Sequence, residues 1–136
     1  MDHKERPLRV EPTCRPNWEI PGGVVEDGED PGTCATREVA DELGLNIVPG
    51  RLLVIDHTSD PPPGNDSMIL VYEGGLIGHP ETIRLRESER RSFRFVPEED
   101  SGQHASDRLA LRVRQALRAW RNGGLVEIVN GQPINA

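Results

Sequence analysis

Apolar residues recur every fourth position at Ala35, Val39 and Leu43, so the stretch 30–43 reads as a helix with one stripe turned toward a core. Pro31 falls in its first turn and Gly44 just past its end, where those residues favour helix starts and stops. A second helix is expected over 107–121, with Leu109, Val113, Ala116, Leu117 and Trp120 on one face. Ser106 is its N-cap candidate and Asn122-Gly123-Gly124 its stop. Strand-like runs appear at 7–10, 18–20, 51–55, 68–72, 82–85, 92–96 and 125–129, the last running into an Asn130-Gly131 turn. Pro21-Gly22-Gly23 breaks the run at 18–20, and Pro61, Pro62, Pro63 and Gly64 mark a loop between 51–55 and 68–72. Strands interleaved with two helices indicate a mixed α/β (α+β) fold.

A chain of 136 residues fits a single domain, 1–136. Its net charge of −7 excludes a general nucleic-acid grip, because polyanion binding needs a basic patch to displace counterions. No apolar run approaches membrane-spanning length and residues 1–9 lack the apolar centre of a signal peptide, so a cytoplasmic protein that uses no membrane is expected. Cys14 and Cys34 lack CxxC spacing, and with His3, His57, His79 and His104 scattered they form no zinc pattern. Lys4 is the one lysine, which leaves any phosphate clamp to guanidinium groups.

Chemistry concentrates on the first helix. Glu38, Asp41 and Glu42 lie within an arc of roughly 100°, beside the apolar stripe, with Glu26 and Glu29 just ahead. Taken alone, the triplet reads first as a solvated helix face with Arg37 pairing Asp41. Gathered carboxylates also repel one another, so they suit a hard cation such as magnesium, manganese or calcium better than zinc.

The residues around the triplet change that balance. Gly23, five residues, Glu29, seven residues, then Arg37-Glu38-Val39-Ala40-Asp41-Glu42-Leu43-Gly44-Leu45 resembles the Nudix box, G-x5-E-x7-R-E-U-x-E-E-x-G-U with U aliphatic. The segment Trp18-Glu19-Ile20-Pro21-Gly22-Gly23 resembles the approach to that box. The one departure is Asp41 in place of glutamate, which withdraws its carboxylate by about 1.5 Å and favours contact with a metal through water.

The resemblance implies a Nudix α/β/α sandwich, a mixed sheet between the two helices, and magnesium-dependent hydrolysis of a phosphoanhydride bond, with manganese as the other candidate ion. Substrates of that type are nucleoside diphosphates linked to a second group, such as ADP-ribose or another nucleotide sugar, or an NTP. It implies Glu38 and Glu42 as metal ligands, with Asp41 and a backbone carbonyl near Gly23 as further contributors. It implies an ion pair between Arg37 and Glu29 that holds the box together. The general base falls to Glu38 in one arrangement and to a later loop glutamate in another, here Glu89 with Glu87 behind it. Pro61 sits where a downstream proline accompanies ADP-ribose hydrolysis, and equally as a loop stiffener. Trp18 and Tyr72 are candidates to stack a base, and Arg15, Arg51 and Arg94 to grip phosphate or ribose.

Members usually carry a longer stretch before the tryptophan. An early strand is therefore expected to be missing, leaving an edge for a second chain or for the tail strand 125–129, and a homodimer is expected. The alternative function is a catalytically weak Nudix-like domain that binds or senses a nucleotide.

Overall fold

The acidic segment rides on α1, Pro31–Leu43, whose ends are set by local chemistry. Asp30 stands at the N-cap, where its carboxylate accepts from the Thr33 amide at 2.9 Å and the Thr33 hydroxyl at 2.8 Å. Gly44 closes the helix at φ 68° and donates its N–H to the Ala40 carbonyl. A Cβ on Gly44 would lie 2.9 Å from Arg84 Cβ, so both its left-handed backbone and its missing side chain are used.

This computed structural model describes residues 1–60, 64–86 and 88–134. The expectations on Pro61 and Glu87 lie outside the described residues. Contacts gather the chain into two compact units, 1–50 with 74–105, and 51–73 with 106–136.

In the first unit β1, Leu8–Pro12, pairs antiparallel with β4, Arg90–Phe95. Leu8 faces Phe95 and Val10 faces Phe93, which turns four apolar side chains to one side of the ribbon. Leu8, Val10, Leu43 and Ile83 are buried together there, with Val39, Leu45, Phe93 and Phe95 packed around them. Each fully buried aliphatic side chain contributes about 1.5–3 kcal/mol. Ala35, expected on the stripe, is half-buried, and Cys34 beside it is buried instead.

Two expected strands of this unit take other forms. At 18–20 only Glu19 bridges, exchanging both backbone hydrogen bonds with Val10 at 2.7 and 2.9 Å, before Pro21 interrupts. At 82–85 the chain instead forms a 3₁₀ turn, Pro80–Thr82, and then sends Ile83 into the core. The Arg84 N–H donates to the Leu43 carbonyl at 2.7 Å, so a helix terminus takes the donor that a neighbouring strand would have taken.

The second unit is a four-stranded mixed sheet in the order β3-β2-β5-β6, where β2 is Leu52–Thr58, β3 is Ser67–Tyr72, β5 is Val126–Val129 and β6 is Gln132–Pro133. β2 runs antiparallel to β3 and parallel to β5, so the tail strand lies directly along β2. The expected Asn130-Gly131 turn joins β5 to β6, both residues having positive φ. Helix α2, Asp107–Asn122, starts at Ser106, whose hydroxyl accepts from the Leu109 amide at 3.1 Å. Its Ala116 and Ala119 pack on Leu53, Val54 and Ile128. A buried ion pair joins α2 to the sheet: Arg112 Nε donates to Asp56 Oδ2 at 2.7 Å, and the Gly131 amide donates to Asp56 Oδ1 at 3.3 Å. Arg51, expected as a phosphate grip, caps the end of α2, donating to the Ala119, Trp120 and Gly124 carbonyls.

Among the described residues the strands thus form a two-stranded antiparallel sheet and a four-stranded mixed sheet, the mixed α/β class that was expected. Among the described residues no helix is long and apolar enough to cross a membrane.

Candidate active site

The site is built where the loop 21–30 meets α1. Arg37 organises it. Its Nε donates to Glu29 Oε2 at 2.8 Å and its Nη2 to Glu29 Oε1 at 2.9 Å, a bidentate pair across seven intervening residues. The same guanidinium donates to the Val24 carbonyl at 3.2 Å and to Glu38 Oε1 at 2.7 Å. The Glu26 amide donates to Glu29 Oε1 at 3.1 Å, which ties the loop to itself as well. Held in this way, chiefly by the hydrogen bonds from Arg37, the Glu29 carboxyl is lowered to about 2. Arg37 is pushed the opposite way by Glu29 first and then by Glu38.

Glu38 lies directly over Gly23. A Cβ added to Gly23 would sit 2.4 Å from the Glu38 carboxyl carbon and 2.5 and 2.8 Å from its oxygens. The absence of a side chain at Gly23 therefore makes the cradle that the Glu38 carboxylate fills. One helical turn further on, Glu42 is buried at 3% exposure, far more than an acidic surface face would allow. Arg90 Nη2 donates to its Oε1 at 2.6 Å, and the Gly22 amide donates to its Oε2 at 3.1 Å. Burial raises the Glu42 carboxyl above the ordinary value; Arg90 and the Gly22 amide pull it down, and the nearby Glu38 charge pushes it up again.

Asp41 stands on the rim, 43% exposed, 3.7 Å from Arg86 and 4.0 Å from Arg37. Glu89, in the turn before β4, lies 3.6 Å from the same Arg86, so one guanidinium stands between Asp41 and Glu89. The Thr13 amide donates to the Glu89 carbonyl at 3.0 Å and anchors that turn against the end of β1. Among the described residues no three acidic, thiol or imidazole side chains close around one point. Arg90, Arg86 and the Gly22 amide escaped the sequence reading. Nothing in the spacing separates Arg90 from Arg84, Arg86 and Arg91 in the charged run; only its place at the start of a strand ending against α1 does.

The remaining candidates fall elsewhere. Arg15 pairs with Glu19 at 2.8 Å and is mostly exposed. Arg94 stacks its guanidinium 5.3 Å from the centre of the Trp18 ring. Tyr72 belongs to β3 of the second unit, opposite Leu52. Cys14 and Cys34 are both free thiols.

The loop and α1 are thus tied by the Glu29–Arg37 pair, with Gly23 under the Glu38 carboxylate and Glu42 buried one turn later. The chain belongs to the Nudix family: the NUDIX domain family model matches residues 4–119, a stretch that runs through both units. Human diphosphoinositol polyphosphate phosphohydrolase 3-alpha is 47% identical over 45 residues, which cover 32% of this chain and 27% of that protein. The chain thus spans about a quarter of the length of that curated relative. Among solved structures, the MutT protein of Methanosarcina mazei superposes with a TM-score of 0.70 at 22% identity, covering 90% of this chain and 88% of that one. An ADP-ribose pyrophosphatase of Streptococcus suis superposes with a TM-score of 0.62 at 18% identity, covering 94% and 92%. The fold is accordingly the Nudix α/β/α sandwich, of mixed α/β class.

Proposed function

We propose that this protein hydrolyses a phosphoanhydride bond in a nucleoside diphosphate linked to a second group, using magnesium, or manganese in its place, held by Glu38 and Glu42. The observation that carries this reading is the Glu38 carboxylate seated in the space a Gly23 side chain would fill, one turn from a buried Glu42. Such an arrangement suits a hard cation on three counts. Both side chains offer carboxylate oxygens, and Glu38 keeps Oε2 beyond the oxygen that meets Arg37. Each Glu42 oxygen accepts one hydrogen bond and retains a lone pair. Among the described residues the Gly23 carbonyl receives only a long contact, 3.7 Å, from the Cys34 thiol.

When bound, the ion supplies charge neutralisation for the diphosphate oxygens and a lowered pKa for the attacking water. The chain's own groups do the rest. Arg90 and the Gly22 amide fix Glu42, and burial strengthens its field. Arg37 holds Glu38 over Gly23 while locking the loop through Glu29. Asp41, shorter than the glutamate of the family pattern and exposed on the rim, would reach a bound ion through water. Glu89 is the base, accepting the water's proton on a carboxylate oxygen, with Glu38 as the other candidate.

The substrate class follows relatives whose names specify ADP-ribose and diphosphoinositol polyphosphate, and we favour a nucleotide sugar such as ADP-ribose or an NTP. A second reading, nucleotide binding with little turnover, is favoured by Arg90, which stands against Glu42 at 2.6 Å where a cation would otherwise approach. The two separate in one experiment. The protein is incubated with ADP-ribose, sugar nucleotides, dinucleoside polyphosphates and NTPs, with magnesium or chelator, and the phosphate products are followed. Metal-dependent product release supports hydrolysis, whereas saturable nucleotide binding without products supports the sensor.

A further inference from the structure

A pocket on the first unit shares no residue with the acidic helix and carries an electrostatic problem of its own. Arg9 and Arg94 are direct cross-strand partners in the β1–β4 ribbon, so their side chains leave the same face, the one opposite the apolar cluster. Like charges in that relation repel, and here one of them is taken out of water. Arg9 is 1% exposed, and its Nη2 donates to the Ser101 carbonyl at 3.0 Å. Its Nε and Nη1 are buried without a hydrogen-bond partner among the described residues. Burial pushes the Arg9 guanidinium below its ordinary value. A buried cation with unmet N–H groups is costly unless an acceptor reaches it.

The same guanidinium lines a pocket of about 350 Å³, its open mouth included, together with Trp18, Arg94, Asp100, Gln103 and His104. Asp100 is the one carboxylate on that wall among the described residues, and it accepts from Gln103 Nε2 at 3.3 Å. Arg94 lies over the Trp18 ring at 5.3 Å, which fixes a second guanidinium at the rim. Two guanidiniums against one carboxylate, with two Arg9 nitrogens unpartnered, leave this wall with excess positive charge and unused donors.

We propose that this pocket is an anion site that takes a phosphate group, held between Arg9 and Arg94 beside Trp18. Phosphate matches the donors better than a monovalent halide because one group can accept from both guanidiniums at once. The group is carried either by inorganic phosphate or by a small phosphorylated molecule such as a nucleoside monophosphate.

The test is calorimetric titration of the full chain in metal-free buffer with inorganic phosphate, with AMP, and with chloride at matched ionic strength. Saturable binding of phosphate but not of chloride is expected. Arg94→Gln, at an exposed position, should weaken it about tenfold or more, and Arg9→Met should abolish it. AMP binding more than about tenfold tighter than phosphate assigns the group to a nucleotide, and equal affinities assign it to the free ion. Should Arg9→Met fail to fold, Arg94→Gln carries the test alone. Phosphate binding no better than chloride, or unchanged in Arg94→Gln, overturns the proposal. Because no divalent ion is present and no turnover is read, this result is independent of whether the acidic helix is catalytic.

Discussion

Arg90 and Glu42 meet at 2.6 Å in a largely buried setting, joining the first residue of β4 to the last turn of α1. Removing one member leaves the other charged and desolvated. Arg90→Met is therefore expected to destabilise the protein by about 3 kcal/mol, whereas Arg90→Met combined with Glu42→Met should recover most of the loss. Urea denaturation of the two variants checks this, and equal losses in both would show that packing matters more than charge.

The Glu29–Arg37 pair predicts a pH signature. The Glu29 pKa near 2 in the folded protein lies below its ordinary value of 4.5. Its contribution is thus fully present above about pH 4.5 and disappears as pH falls through about 2. Glu29→Gln should cost stability at neutral pH, and the gap from the parent protein should close across that window. Denaturation midpoints at several pH values between 7 and 2 measure it; a gap independent of pH would remove the ion pair from the account.

Gly23→Ala tests the cradle. The added methyl would collide with the end of the flexible Glu38 side chain rather than with backbone, so α1 should survive while the carboxylate is displaced. A stability change under about 1 kcal/mol is expected, with magnesium affinity reduced about tenfold or more. Circular dichroism paired with metal titration reads both quantities. Unchanged magnesium affinity would show that the position of Glu38 does not govern the metal.

Glu89→Gln separates base from ligand. Turnover should fall about a hundredfold with magnesium affinity unchanged, since a proton acceptor is lost and no metal oxygen is. An unaltered rate returns the role of base to Glu38.

Much of this architecture is legible in the chain because local signals and tertiary packing agree. Asp30, Pro31 and Gly44 mark the ends of α1, and Ser106 and Gly123 those of α2, since caps act over a few residues. The Gly23, Glu29, Arg37, Glu38 and Glu42 pattern brings the loop to the helix because its spacing encodes contacts within one short segment. Long-range choices are different. The segment 82–85 has strand composition, yet the free carbonyl of Leu43 claims its backbone. Arg90 reaches Glu42 across 48 positions, and Arg51 serves the end of α2 rather than a phosphate; neither is visible from spacing. Burial of Glu42 and Arg9 likewise depends on where β1 and β4 meet, which composition does not reveal.

The most direct measurement is hydrolysis of a nucleotide panel by Glu42→Gln beside the parent protein, each titrated with magnesium. The account predicts metal-dependent product release in the parent and a loss of at least about a hundredfold in the variant, with its fold intact by circular dichroism. Turnover in Glu42→Gln equal to the parent's would contradict it.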